Sequence, residues 1–239
     1  MANRKFLRRE DIDNKVEQVI SHFDPTWLVR TRSPIYNVVD AIKAQYGVPF
    51  LFDQDLGHTT ESRKILGCFL FKSREIYVDR TLVADSPRFR FTLAHEVGHL
   101  ILHRNIRPDS ITRERKKIVD TRQQLRLGRG VQRSELDWIE WQANQFASAL
   151  LLPRPILQRT LISVQQECDI TSRLGTIYVD AQAINIHNYY RTLHMLIDRL
   201  PVSRTVLIIR LKTLGLLIDD SPLARAHIGK IMQGLFTTE

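Results

Sequence analysis

The stretch RFRFTLAHEVGHLILH, residues 88–103, leaves a chain little choice of fold. Set on a helix, its Thr92, His95, Glu96, His99 and His103 fall within an arc of about 100°. Every other position from 91 to 103 is apolar or glycine. A helix that is apolar nearly all round is buried, and ionisable groups on it must be paired or bound to a metal. His95 and His99, four residues apart, project from adjacent turns and can share one ion, with Glu96 beside them. Glu96 is in reach of a water on that ion but poorly aimed to bind the ion itself. That is the logic of the HExxH zinc pattern, in which the two histidines bind and the glutamate acts as general base. With eight His and ten Glu in 239 residues, chance would supply the pattern roughly 0.01 times. The pattern therefore outweighs a reading of core histidines satisfied by hydrogen bonds alone. His103 sits a turn beyond His99 and reads as a structural or pocket-lining residue rather than a ligand.

A catalytic zinc needs a third protein ligand and an open fourth position. Downstream, SELDWIEWQANQFASALLLP offers Glu135, Asp137 and Glu140. The first two fall in an opening helical turn, where acids are favoured by the helix dipole alone. Glu140 lies mid-helix on a face with Ala143, Asn144, Ala147 and Ser148, small enough to admit a second helix closely. Glu140 is the predicted third ligand, and Asn144, one turn on, can hold a ligating histidine from behind.

The remaining chain frames these two helices. Helices are predicted at 10–22 and over SPIYNVVDAIKAQYG, where Ser33 caps, Pro34 opens and Gly47 stops. VPFLF reads as a short strand, and ILGCFLF with REIYVD as a hairpin turning at Lys72–Ser73. Asp85–Ser86–Pro87 opens the histidine helix, and Ser134 with Asp137 resembles a capping box for a helix reaching Pro153. Residues 154–180 carry no clear pattern beyond a strand-like GTIYVD, and helices follow at 181–199 and 203–214. Helices, a small antiparallel sheet and further helices make an α+β chain with a helical tail.

These residues resemble the ImmA/IrrE family of metallopeptidases, whose pattern is an HExxH helix followed by E-x-x-A-N/D-x-F-A-x-x-L-L-M-P. The family's two motifs appear here as RFRFTLAHEVGHLILH and IEWQANQFASALLLP, and GCFLFKSREIYVD is similar to the strands before them. The resemblance spans about residues 34–153. It implies a zincin-like peptidase domain over 1–160 and a mainly helical domain over 161–239. It also implies one catalytic Zn2+ on His95, His99 and Glu140, with Glu96 as base. The substrate class it implies is a helix-turn-helix transcriptional repressor, cleaved to relieve repression in a bacterial stress or mobile-element response. Two positions depart from the pattern: Gln142 stands where many members have a second Glu, and Leu152 replaces Met.

An extended substrate is expected to add as a strand beside REIYVD, with Tyr77, His103 or His187 as oxyanion donors. In the tail, Val202–Ser203 could form the turn of a helix-turn-helix presenting Arg204, Arg210 and Lys212. The second helix is so rich in Val, Leu and Ile that direct DNA binding is possible but not favoured. The formal charge is +9, and residues 104–133 hold ten Lys or Arg against three acids. Such a run attracts nucleic acid or acidic protein, or is simply a solvated insertion. No signal-peptide core or membrane-length apolar run is visible, and Cys68 and Cys168 make no metal or disulfide pattern, so a cytoplasmic protein is expected. The competing reading is a zinc-stabilised regulator or repressor- or antitoxin-binding module that hydrolyses nothing. Glu96 argues against it, because a structural zinc site has no use for a base beside its ligands.

Overall fold

The computed structural model describes residues 7–24, 26–27, 35–59, 62, 64–105 and 135–221. The basic run and the capping residues Ser33, Pro34 and Ser134 lie outside the described residues. The chain divides into two compact units, Met1–Pro153 and Arg154–Glu239.

The first unit contains α1 (Arg9–Phe23), α2 (Ile35–Tyr46), β1 (Phe50–Leu51), β2 (Gly67–Leu70), β3 (Glu75–Val78), α3 (Pro87–His103) and α4 (Glu135–Leu151). α3 starts where Ser86 Oγ accepts the Phe89 N–H at 3.2 Å, with Pro87 opening the first turn where its missing N–H costs nothing. All residues from Phe91 to Leu100 are buried, including Thr92, His95, Glu96 and His99. α4 packs against it through Ala143 and Phe146, each 0 % exposed. Gly98 makes this approach possible. A Cβ there would lie 3.2 Å from the Ala143 carbonyl oxygen and 3.2 Å from Phe146 Cβ.

The sheet has the order β1-β3-β2, with β1 parallel and β2 antiparallel to β3. The hairpin turns through Phe71–Arg74, where Arg74 takes a left-handed φ of 59° and its N–H returns to the Leu70 carbonyl at 2.7 Å. Central placement of β3 corrects one expectation. REIYVD is hydrogen-bonded on both sides, so no peptide can add beside it, and β2 is the edge of the hairpin. Gly67 and Phe69 share a face with Val78 and Ile76, and that face meets α3.

The second unit contains α5 (Arg154–Glu167), β4 (Ile177–Val179), α6 (Ala183–Arg199), α7 (Arg204–Thr213) and β5 (Leu217–Asp219). The expected domain boundary at 160 thus falls inside α5, which belongs to this unit as a whole. α7 is capped by Ser203, whose Oγ accepts the Val206 N–H at 3.3 Å. It ends at Gly215, φ 70°, where the Leu216 N–H donates to the Leu211 carbonyl at 2.8 Å. The chain then returns as β5, parallel to β4. The unit is therefore mainly helical, with the strand-like GTIYVD supplying β4. Its strands are three residues each, too short for alternation to show. Of the three cations expected on the second tail helix, Arg210 is 2 % exposed, whereas Arg204 and Lys212 face solvent. Among the described residues no helix is long and apolar enough to cross a membrane.

Candidate metal centre

The burial pattern of α3 turns its polar arc towards α4 and β2. His95 Nε2 and His99 Nε2 lie 3.0 Å apart. Glu140, reaching across from α4, places Oε2 3.4 Å from His95 Nε2 and 3.9 Å from His99 Nε2. These separations resemble the edge of a tetrahedron of ligands around zinc, roughly 3.3 Å for ligand bonds near 2.0 Å. Glu140 Oε2 is buried and makes no hydrogen bond. His95, His99 and Glu140 form a group able to hold one ion, their ligand atoms all within 4.8 Å of one another.

What stands behind each histidine decides which nitrogen is bare. His95 Nδ1 lies 2.9 Å from Asn144 Oδ1, an acceptor, so Nδ1 carries the hydrogen and Nε2 keeps its lone pair. His99 Nδ1 lies 3.1 Å from His103 Nδ1, and His103 Nε2 lies 3.0 Å from Gln142 Oε1. Burial drives the pKa of His99 well below its usual value, helped by the neighbouring His95 and His103. Burial likewise takes His103 down to about 4, although its bond to Gln142 works the other way. Neutral imidazoles are the form that binds metals. A ring nitrogen from each histidine and a carboxylate oxygen converge, and a divalent cation fits this donor set.

Glu96 is 1 % exposed and lies against β2. A Cβ on Gly67 would stand 2.4 Å from Glu96 Oε1 and 2.6 Å from Thr92 Cγ2. The strand backbone thus comes as close to the glutamate as a backbone can. Gly67 is a site residue that the sequence did not disclose, because nothing in GCFL says which strand position meets the helix. Phe71 is another, its ring edge-on to His99 at 6.4 Å between centroids. Gln142 attracted notice only as a departure from Glu, with no role.

The other candidates lie on other elements or further along α3. Tyr77 sits on the sheet face opposite α3, paired with Cys68, and its hydroxyl donates to Glu75 Oε2 at 3.1 Å. It is not an oxyanion donor for a site on α3. The period-two alternation of the strand turns Tyr77 away when it turns Ile76 and Val78 inward. His103 lies behind His99, turned to Gln142. His187 is exposed on α6 in the second unit.

No curated protein matches the chain. Residues 38–127 match the peptidase M78 family, described as the IrrE N-terminal-like domain. The matched span takes in the sheet and the whole of α3 and stops before α4, so Glu140, Gln142 and Asn144 lie beyond it. The matched region carries the HExxH helix and the next helix completes a buried His–His–Glu cluster, so residues 38–127 are similar to the IrrE N-terminal-like peptidase domain, as the motifs suggested.

Proposed function

We propose that the protein is a zinc-dependent endopeptidase that hydrolyses a peptide bond in a regulatory protein, with a helix-turn-helix transcriptional repressor as the expected class. The observation that carries this reading is the convergence of His95, His99 and Glu140, with Glu96 buried next to His95 on the same helix. A zinc ion held by the three would polarise the scissile carbonyl and acidify a water. Glu96 takes the proton from the attacking water and passes it to the leaving amine, as a carboxylate fixed beside the reacting bond can do in turn. Gly67 holds the strand backbone against that carboxylate and limits its rotation. The peptide adds along β2, the hairpin's outer strand, which brings its backbone past Glu96. Asn144 keeps His95 in the tautomer whose Nε2 is bare. The non-hydrolytic reading has no observation of its own in the structure.

The test is Glu96→Gln in cells that co-express helix-turn-helix repressors from the host genome. Cleavage fragments should appear with the wild type and fall by about 10²–10⁴-fold in the variant. Metal content should be unchanged, because Glu96 is not among the clustered ligands. Fragments formed equally fast by Glu96→Gln would sink the mechanism.

A further inference from the structure

The histidine pair is held from behind in two different ways. His95 meets its acceptor directly, at Asn144. His99 meets none directly. Its Nδ1 faces another histidine, and a contact between two imidazole nitrogens does not by itself say which carries the hydrogen. The answer lies one residue further back. We propose that Gln142 acts through His103 as a positioning relay that sets the tautomer of His99 and so presents its Nε2 lone pair to the metal.

One proton arrangement of these contacts leaves both Nε2 atoms free for a metal. Gln142 Oε1 only accepts, so the 3.0 Å contact to His103 Nε2 carries a hydrogen from the imidazole. A neutral imidazole has one N–H, so His103 Nδ1 is then bare. His99 has one N–H for two contacts, 3.1 Å to His103 Nδ1 and 3.0 Å to His95 Nε2, and in the relay the bare His103 Nδ1 takes it. His99 has now spent its only N–H, and its Nε2 faces His95 Nε2 and Glu140 Oε2 with a lone pair. Reversing the first bond reverses every later one. A donor at position 142 would leave a hydrogen on His99 Nε2, in the space between the ligand atoms. The three imidazoles are 4 %, 0 % and 3 % exposed at His95, His99 and His103, so water has little room to substitute for a missing partner.

The relay also gives meaning to the departure at position 142. A glutamate there would accept the same hydrogen while adding a buried charge. Glutamine accepts it as a neutral amide. The acceptor oxygen, and not the charge, is what His103 requires.

This inference rests on the metal-site reading, and the experiments separate the two. Zinc uptake by the wild-type full-length chain tests the site. The relay is read in the metal-free chain at neutral pH, with ¹⁵N-labelled histidine and tautomers assigned by NMR. His99 and His95 should carry hydrogen on Nδ1 and His103 on Nε2. A hydrogen on His99 Nε2 would overturn the relay, whether or not zinc binds. For zinc-binding protein, chelator competition should show affinity about 10–100-fold weaker in Gln142→Leu and in His103→Phe. Gln142→Glu, which restores an acceptor, should return to within a few-fold of wild type. Wild-type affinity in both Gln142→Leu and His103→Phe would overturn the proposal. Should either variant fail to fold, the tautomer assignment in the wild type decides alone.

Discussion

At Gly67 the strand backbone and the glutamate of α3 share a space that a single methyl would fill. A Cβ 2.4 Å from Glu96 Oε1 and 2.6 Å from Thr92 Cγ2 cannot be absorbed without moving the glutamate or the strand. Gly67→Ala is therefore expected to cost about 1–3 kcal/mol in stability, as overpacking does, and to displace Glu96. Metal content should survive, since neither Gly67 nor Glu96 is among the clustered ligands. Thermal denaturation beside metal analysis checks both parts, and a variant that loses its metal while keeping its stability would contradict this account. The histidines could be read from sequence because their arc on a helix is a property of residue spacing alone. Gly67 could not, because its role depends on which strand residue meets which helix turn. Tyr77 failed as a candidate for a related reason. A strand pattern separates two faces but does not say which one the active-site helix covers.

Among the elements, the hairpin has its own fastening. Asp79, directly after β3 and 1 % exposed, accepts the Leu56 N–H at 2.7 Å, the Thr81 N–H at 3.0 Å and an ion pair from Lys64 at 3.0 Å. Burial alone would raise its pKa, but the bonds from Thr81, Leu56 and Lys64 outweigh it and lower the value to about 2 from the ordinary 3.8. Between those values the unfolded chain binds the proton and the folded chain does not. The stabilisation is therefore complete above about pH 4 and is lost as pH falls towards 2. Its size is on the order of 1 kcal/mol after allowance for solvent screening. Acid unfolding followed by circular dichroism should show a step in that window that disappears in Asp79→Asn. An unchanged step would place the acid-labile group elsewhere. α3 was legible because its polar residues keep to one arc and the rest of the helix is apolar, as its burial from Phe91 to Leu100 requires. α5 was not: Ile162 points to solvent, 37 % exposed, while the polar Gln165 is inside, its Nε2 donating to the Thr176 carbonyl and its Oε1 accepting the Gly175 N–H. Strand order was illegible as well, which is why a central strand was taken for an open edge.

For the whole molecule, the division after Pro153 leaves all three candidate ligands in the first unit. Zinc should therefore stabilise one unit and not the other. At a free zinc concentration of 100 times Kd the gain is about 2.7 kcal/mol for a site absent from the unfolded chain. Differential scanning calorimetry with and without a chelator should move one transition and leave a second in place. Equal shifts in two resolved transitions would mean that metal binding reaches both units.

The close approach at Gly98 has a consequence for how the motif itself is understood. As a written pattern, HExxH leaves two letters free. In this protein the second of them is occupied by the only residue without a side chain, and any other would press at 3.2 Å on the Ala143 carbonyl and on Phe146 of α4. The distance between α3 and α4 also sets how far Glu140 must reach to join the two histidines. The residue at position 98 thus acts as a gauge. It fixes the spacing of a binding site to which it contributes no atom, and a change there would alter the size of ion the pocket accepts before it altered any ligand.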